Sequence, residues 1–213
     1  MKIVHLTVGA FQENCYLVSD PDTKTAVLID PGGEGDRINR LVADAGVRLD
    51  AIWVTHGHLD HIGAIAAVKR AYDVPIFLHP ADLPLYLAAD RQAAAYGLPY
   101  EAPPAPDREI ADGDVLQIAG LRFDVLHAPG HAPGHVVIHG HGVAFVGDCV
   151  FAGSIGRTDL PFSDGRALAE SLERIAELPP STVLYPGHGP RTTLARELVT
   201  NPFLNGSARV VGS

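Results

Sequence analysis

The side chains best suited to bind metal ions lie in one short segment and at three later positions. Residues 55–61 read Thr-His-Gly-His-Leu-Asp-His, which puts four metal-binding side chains within six residues. The complete set of candidate metal ligands is His56, His58, Asp60, His61, His131, Asp148 and His188. Because structural zinc sites usually recruit cysteine, a set of nitrogen and oxygen donors alone predicts a hydrolytic or redox-assisting centre.

The aspartates in this set favour a centre that holds two metal ions. A carboxylate such as Asp148 can bridge two cations, which a neutral imidazole cannot do. Two divalent ions about 3.5–4 Å apart can share a water molecule and lower its pKa to near 7. The resulting hydroxide would be the nucleophile, and the same ions would polarise a carbonyl and stabilise its oxyanion. Asp60 and Asp148 are therefore the candidate catalytic carboxylates.

Hydrophobic periodicity and turn signals predict the elements that position these ligands. Strands are predicted at Lys2–Val8, Cys15–Ser19, Thr25–Asp30, Ala51–Thr55, Val74–Leu78, Val115–Ile118, Arg122–His127, His135–His139, Val143–Val146 and Thr182–Tyr185. Helices are predicted at Asp36–Ala45, Asp60–Tyr72, Pro80–Tyr96, Asp164–Glu177 and Arg191–Thr200, with a proline-rich loop or lid at Leu98–Asp107. Each ligand group follows a strand, so ligands distant in sequence can meet where strand ends converge at one edge of a sheet.

Composition and charge narrow the class of protein. The chain has 213 residues, of which 46% are hydrophobic and 19% charged, so we expect a globular protein with a sizeable core. No linker, repeat or low-complexity tract interrupts the sequence, and we predict a single domain over residues 1–213. The net charge of −9 and the lack of a basic stripe argue against nucleic-acid binding. The oligomeric state is left open.

The sequence carries no signal for a membrane or for export. No apolar run reaches the ~18 residues that span a bilayer. The first residues, from Met1 to Leu6, predict a strand and lack the apolar region and cleavage site of a signal peptide. The two cysteines, Cys15 and Cys149, are too few for a disulfide framework. We therefore expect two reduced thiols in a cytoplasmic protein that makes no membrane contact.

Longer motifs around the ligands resemble a known family. Residues 55–61, with the three later ligands, resemble the metallo-β-lactamase superfamily. Four flanking segments resemble its glyoxalase II-like (hydroxyacylglutathione hydrolase-like) branch, in its short bacterial form: Phe11–Tyr16, Asp30–Gly33, Pro129–Gly134 and Thr200–Leu204. The matches cover nearly the whole chain. The resemblance implies an α/β fold, the four-layer αββα sandwich, with metals at one edge of its two sheets.

The resemblance also implies how the ligands divide between two metal ions. One ion would be held by His56, His58 and His131, and the other by Asp60, His61 and His188. Asp148 would bridge the two. Zinc is the expected metal, with two Zn²⁺ per chain, and iron or manganese can occupy similar sites in this superfamily.

Two features depart from glyoxalase II. That enzyme continues into a C-terminal helical domain that helps to hold glutathione, whereas this sequence ends soon after Thr200–Leu204, so we expect that surface to be absent. The segment Gly153–Asp159 differs from the glyoxalase II loop, and its Gly-Arg-Thr-Asp resembles persulfide dioxygenases. Within it, Arg157 could clamp a substrate carboxylate, because a planar guanidinium suits that task, or it could be a loop salt-bridge partner.

The leading hypothesis is a metal-dependent hydrolase of small acyl thioesters that resembles glyoxalase II acting on S-lactoylglutathione. The substrate would be a small molecule, such as an ester of glutathione or another thiol. The alternative is a mononuclear iron persulfide dioxygenase, in which His56, His131 and Asp148 form a two-histidine, one-carboxylate site. A non-enzymatic, metal-stabilised module is a lesser alternative. β-Lactam hydrolysis and nucleic-acid cleavage share the ligand pattern but are disfavoured by the flanking motifs and the acidic charge.

Other residues near the motifs need separate interpretation. Asp30 could orient a ligand imidazole or could form the turn before Pro-Gly-Gly. We interpret Cys149 as a small buried packing residue. The remaining histidines are interpreted as structural or surface residues, with His135 the foremost exception because it follows the His131 loop: His5, His79, His127, His135, His139 and His141.

Overall fold

The computed structural model describes residues 1–210, so positions 211–213 of the predicted domain lie outside the described residues. The strands are β1 (Lys2–Val8), β2 (Glu13–Asp20), β3 (Thr25–Ile29), β4 (Arg48–Trp53), β5 (Ile76–Leu78), β6 (Arg108–Glu109), β7 (Val115–Ile118), β8 (Leu121–His127), β9 (Val136–Gly140), β10 (Val143–Gly147), β11 (Val150–Phe151), β12 (Ser154–Ile155), β13 (Val183–Pro186) and β14 (Thr192–Thr193). The helices are α1 (Gly35–Ala45), α2 (Leu59–Ile62), α3 (Ile65–Tyr72), α4 (Leu83–Leu87), α5 (Ala89–Tyr96), α6 (Gly165–Ala176) and α7 (Leu194–Thr200).

Two six-stranded sheets and one small hairpin organise the strands. The first sheet has the order β1-β2-β3-β4-β5-β6, antiparallel from β1 to β3 and parallel from β3 to β6. The second has the order β14-β13-β10-β9-β8-β7, in which only the β10–β13 pair is parallel among the described strands. Strands β11 and β12 form the hairpin.

Three apolar cores separate four layers of structure. Along β2, Cys15 and Leu17 pack into the core beneath helices α1 and α3, whereas Tyr16 and Val18 face the second sheet. This alternation follows from the two-residue period of a strand and shows that β2 is covered on both faces. On the far side, Leu168 of α6 belongs to the third core, which lies between the second sheet and helices α6 and α7. The predicted αββα sandwich is confirmed.

The predicted helix from Asp60 to Tyr72 is wrong in one respect, because it is broken into α2 and α3. At the break, the backbone N–H of Ala64 donates to Pro31 O at 2.9 Å instead of continuing the helical ladder. Gly63 allows this approach, since a Cβ there would lie 2.5 Å from Gly32 O. The break therefore allows the metal-ligand segment to contact the loop after β3.

The remaining differences concern element ends and very short strands. The predicted helix Pro80–Tyr96 is a 3₁₀ turn at Pro80–Asp82 followed by α4 and α5. The last helix begins at Leu194 rather than Arg191, because Thr192 and Thr193 pair with β13 and the Thr193 hydroxyl caps Arg196 N. Strands β6, β11, β12 and β14 were not predicted, since elements of two residues show no periodicity.

The structure bears on two expectations, the state of the cysteines and the lack of a membrane-spanning helix. Cys15 and Cys149 are both buried free thiols, as predicted. Within residues 1–210, no helix combines the length and apolar character needed to cross a lipid bilayer.

Candidate metal centre

The seven candidate ligands meet where the C-terminal ends of β4, β10 and β13 come together. The segment 56–61 follows β4, Asp148 follows β10 and His188 follows β13, while His131 lies in the loop after β8. Their donor atoms form three overlapping groups, each within 4.8 Å: His56, His58 and His131; His56, His61 and Asp148; Asp60, His61 and His188. The structure thus brings together side chains from four separate stretches of sequence.

Distances between donor atoms match the spacing around a metal ion. Two ligands at about 2.1 Å from a tetrahedral ion are roughly 3.4 Å apart. Asp148 Oδ1 lies 3.4 Å from His61 Nε2, and Asp148 Oδ2 lies 3.5 Å from His131 Nε2 and 3.6 Å from His188 Nε2. Asp60 Oδ2 lies 3.1 Å from His188 Nε2. Asp148 Oδ1 therefore lies near His61, whereas Asp148 Oδ2 lies near both His131 and His188.

Hydrogen bonds behind two of the histidines fix which ring nitrogen faces the centre. Asp30 Oδ2 accepts from the Thr55 hydroxyl at 2.6 Å and pairs with His61 Nδ1 at 3.0 Å. Since the Thr55 hydroxyl donates to Asp30, its oxygen accepts from His56 Nδ1, 3.1 Å away. Both rings therefore carry a proton on Nδ1 and turn Nε2 toward the centre, where a bound cation would take the Nε2 lone pair in place of a proton. Asp30 therefore contacts a ligand imidazole and also lies in the turn before Pro-Gly-Gly, where its φ of 52° is left-handed.

The loop after Asp148 holds His131 in the same way. His131 Nδ1 donates to the backbone carbonyl of Arg157 at 2.8 Å, so the Nε2 lone pair faces the centre. That nitrogen lies 3.0 Å from His58 Nδ1. Two ring nitrogens at this distance either share a proton or share a cation. The orientation of both rings suits a common metal ion.

Several buried polar atoms lack any protein partner, and a cation would satisfy them. Within residues 1–210, His56 Nε2, His61 Nε2 and Asp148 Oδ1 are buried without a hydrogen bond. Leaving such an atom unsatisfied costs about 1–3 kcal/mol. Gly187 closes the group, since a Cβ there would lie 2.3 Å from Asp148 Oδ1 and 2.6 Å from His61 Cε1. The donor set, its orientation and its unpaired atoms fit divalent metal ions.

The protonation states also suit metal binding. Burial, together with the adjacent His131, lowers the pKa of His58 to about 3. Burial opposes ionisation of Asp148, but the charge of His61 outweighs it and brings the pKa of Asp148 below its ordinary value. His58 is therefore neutral and Asp148 ionised near pH 7, which are the forms that bind metals.

Arg157 lies at the cavity beside the centre, with its charge already paired. Its guanidinium binds Asp159 at two points, with Nε–Oδ1 at 2.6 Å and Nη2–Oδ2 at 2.7 Å. Its backbone carbonyl is the group that orients His131. The salt bridge that was one of the two interpretations of this arginine is observed, while its role as a substrate clamp stays a prediction.

Asp82, which the sequence analysis missed, fastens two of the ligand loops to one another. Its side chain is fully buried and accepts from the backbone N–H of Gly57, at 2.7 Å, and from that of Gly134. Burial raises the pKa of Asp82 to about 6, and these two donors oppose the rise, so it is ionised at neutral pH. Gly57 separates His56 from His58, and Gly134 belongs to the His131 loop. No motif in the sequence marks Asp82 for this role.

Replacing Asp82→Asn is expected to destabilise the protein and loosen the centre. An amide can accept from only one of the two N–H groups and turns its NH₂ toward the other, which costs about 1–3 kcal/mol of unfolding free energy. Denaturant unfolding and metal titration check this, with Asp44→Asn on the exposed face of α1 as the matched control. Unchanged stability and metal affinity would show that Asp82 does not fasten the loops.

Side chains of the Phe11–Tyr16 segment hold the loop that carries His188. The Asn14 amide donates to Gly189 O at 2.8 Å and to Pro186 O at 3.2 Å. The Tyr16 hydroxyl donates to Pro186 O at 2.6 Å. These bonds span the interface between the two sheets and explain why polar residues occur in a buried strand.

Two further titratable groups lie beneath the centre. His135 is fully buried, stacks on His56 with ring centroids 4.8 Å apart, and accepts from the backbone N–H of Asp148 at 3.0 Å. It is a structural residue that positions Asp148. Glu13 is buried without a hydrogen bond to its carboxyl oxygens within residues 1–210. Burial raises the pKa of Glu13 well above its ordinary value, and His61 opposes the rise.

Curated relatives and solved structures match the chain over nearly its full length. Hydroxyacylglutathione hydrolase GloC of Haemophilus influenzae is 39% identical, covering 98% of this chain and 100% of that protein. A structure described as TTHA1623 in a di-iron-bound form is 47% identical with a TM-score of 0.87, covering 94% of this chain and 100% of the other. BLEG-1, described as a B3 metallo-β-lactamase, is 35% identical with a TM-score of 0.90, covering 96% and 100%.

The family assignment rests on the sequence match and the fold together. The profile of the metallo-β-lactamase superfamily matches residues 8–188, which span every candidate ligand from His56 to His188. The αββα sandwich agrees with the solved neighbours. The chain belongs to the metallo-β-lactamase superfamily, with hydroxyacylglutathione hydrolases among its relatives.

Proposed function

We propose that the protein is a metal-dependent hydrolase of small acyl thioesters. The observation that carries the proposal is Asp148, whose two oxygens lie 3.4 Å and 3.5 Å from inward-facing nitrogens of His61 and His131, one from each proposed ligand group. Such a carboxylate suits two metal ions with a shared hydroxide. The relationship to a hydroxyacylglutathione hydrolase supports a thioester substrate. Two Zn²⁺ ions are the proposed metals, and the di-iron-bound neighbour makes iron the first competitor.

The proposed ligands are the seven residues that the sequence predicted. His56, His58 and His131 would hold one ion, Asp60, His61 and His188 the other, and Asp148 both. Two bound divalent cations supply hydroxide at neutral pH and withdraw electrons from the substrate carbonyl. Asp30, Thr55 and the Arg157 carbonyl keep the imidazole lone pairs directed inward during turnover.

The protein groups that meet the substrate are the more exposed members of the set. The side chains of Asp60 and His188 are 22% and 27% exposed and line the cavity, whereas His61 is fully buried. In the proposed reaction, hydroxide adds to the thioester carbon, the C–S bond breaks, and the thiolate leaves. Asp60 would accept the proton released when water forms the hydroxide and would return it to the departing sulfur. The cavity side of the centre is therefore where acyl transfer to water occurs.

Chelation is expected to abolish thioester hydrolysis and to lower the melting temperature. Without cations, the buried lone pairs and the carboxylate of Asp148 are left unpaired, and ligand binding stabilises a protein by about 2.7 kcal/mol at 100 times Kd. The measurement is thioester turnover and thermal unfolding before and after dialysis against a chelator, followed by titration with Zn²⁺, Fe²⁺ or Mn²⁺. Full activity after complete metal removal would refute the proposal.

The persulfide dioxygenase alternative is distinguished by its metal stoichiometry. It requires one iron on His56, His131 and Asp148, and leaves His188 without a ligand role. The grouping of the donor atoms of Asp60, His61 and His188 within 4.8 Å of one another favours a second ion. One iron per chain with oxygen uptake on glutathione persulfide, and no thioester turnover, would establish the alternative. A β-lactam substrate belongs in the same assay, because BLEG-1 is a structural neighbour.

The cellular compartment of the protein and the kind of partner that it binds are also proposals. Two buried free thiols suit a reducing compartment, and we propose a cytoplasmic location. A small-molecule substrate suits the cavity beside the centre, and no nucleic-acid or membrane partner is proposed.

A further inference from the structure

A cavity of about 790 Å³ opens directly onto the candidate metal centre. This volume suits a small organic molecule rather than a polymer. Asp60, His131, Asp148 and His188 form the wall on the metal side. Most of the remaining wall is apolar and includes Phe11, Leu85, Tyr96, Phe151, Leu160 and Phe162. The part of a substrate that lies away from the reacting carbonyl therefore meets apolar side chains.

One face of helix α5 provides a side of this cavity. Ala88, Arg91, Gln92, Ala95 and Tyr96 line it, at the three- and four-residue spacing of a single helix face. The Gln92 side chain accepts from the backbone N–H of Leu59 at 3.2 Å. Leu59 directly follows the candidate ligand His58, so this bond fixes the position of the helix face relative to the metal centre.

Two arginines line the cavity among residues 1–210, and they differ in whether another side chain pairs with the guanidinium. The Arg157 guanidinium is held at two points by Asp159. The Arg91 guanidinium forms no hydrogen bond or ion pair with the described part of the chain; the backbone N–H of this residue donates to Asp90 Oδ1 and to Ala88 O. An unpaired planar guanidinium at an apolar wall is suited to bind a carboxylate at two points.

We propose that Arg91 binds a carboxylate of the substrate, whose body is otherwise apolar. The inference rests on the proposed function and names its substrate class: thioesters in which an apolar or aromatic group links the thioester to one remote carboxylate. Glutathione, in contrast, carries two carboxylates and an ammonium group on a polar peptide. One free guanidinium in an apolar cavity complements the first kind of molecule better.

The test compares two aryl thioesters that differ only in charge. The substrates are the S-acetyl derivatives of 4-mercaptophenylacetic acid and of its primary amide, assayed with the metal-loaded protein. Losing a hydrogen bond to a charged group costs about 10- to 100-fold, so Arg91→Gln is expected to lower kcat/KM for the acid by that factor, mostly through KM. The amide is expected to change by less than about 3-fold, because it places no charge at Arg91.

Matched variants separate a specific contact from a general loss of charge. Arg40→Gln on the exposed face of α1 removes an arginine from another helix and is expected to leave both substrates unaffected. Arg91→Lys is expected to recover part of the preference for the acid, because it keeps the charge without the planar fork. Equal losses for acid and amide in Arg91→Gln, or a selective loss for the acid in Arg157→Gln alone, would overturn the proposal.

A binding measurement separates this inference from the proposed function. The S-propyl thioether of the same acid cannot be hydrolysed, and its binding can be followed by calorimetry. We expect the wild type to bind it about 10- to 100-fold more tightly than Arg91→Gln does. Charge-dependent binding without turnover of any thioester would reject the hydrolase and retain the carboxylate site. Thioester turnover without charge-dependent binding would reject Arg91 and retain the hydrolase.

Discussion

Asp148→Asn is expected to reduce thioester kcat/KM by on the order of 10³-fold and to leave fewer than two metal ions per chain. A metal ion at a reacting oxygen supplies several kcal/mol of transition-state stabilisation, and about 1.4 kcal/mol corresponds to a tenfold change in rate. Asp148 is the carboxylate whose oxygens reach donor nitrogens of His61, His131 and His188. An amide keeps the shape but loses the charge and replaces one oxygen with a group that cannot bind a cation. Steady-state kinetics and elemental analysis of the purified variant measure both effects.

The control for Asp148→Asn is Asp124→Asn, which removes an exposed carboxylate from β8, away from the centre. Thermal unfolding of both variants shows whether the fold is kept. A folded Asp148→Asn protein with two metal ions and wild-type turnover would refute the bridging role and, with it, the proposed hydrolytic centre.

The ligands could be predicted from sequence because short stretches of the chain are enough to identify them. Residues 55–61 carry four donors in one turn, and the downstream ligands each follow a strand whose apolar run is readable. The two faces of β2 and β3, buried on both sides, likewise gave continuous apolar runs that mark strands inside a sandwich. The structure therefore has strands where these apolar runs predict them, and the ligands lie together at strand ends, as expected.

Other parts of the site depend on contacts that no local pattern encodes. Asp82 bonds to Gly57 and Gly134, which lie 25 and 52 residues away in sequence. The break between α2 and α3 arises because Ala64 donates to Pro31, on a different element. The difference between Arg157 and Arg91 is a difference in side-chain pairing, and sequence position alone gave Arg157 more weight because it follows Asp148. Residue type predicts what a side chain can bind, while its partners in the fold decide whether it is free to do so.

Asp30→Asn is expected to weaken metal binding by about 10- to 100-fold, which is the usual effect of removing a partner of a ligand histidine. Asp30 accepts from Thr55 N at 2.7 Å, from the Thr55 hydroxyl at 2.6 Å and from His61 Nδ1 at 3.0 Å. The amide oxygen can keep the bond to Thr55 N, but the NH₂ group then faces His61 Nδ1–H. That conflict favours the tautomer with the proton on Nε2, which removes the lone pair of His61 from the centre.

The backbone offers a closely matched control for Asp30→Asn. Asp30 has a φ of 52° and Asp73, at the exposed end of α3, has a φ of 41°, and asparagine tolerates this region as well as aspartate does. Asp73→Asn is therefore expected to leave metal affinity unchanged. Competition with a chelator measures the affinity, and ¹⁵N chemical shifts of the histidine rings in zinc-loaded protein report which ring nitrogen keeps its proton. If His61 keeps its proton on Nδ1 in Asp30→Asn and the metal affinity is that of the wild type, the carboxylate does not set the orientation of the ligand.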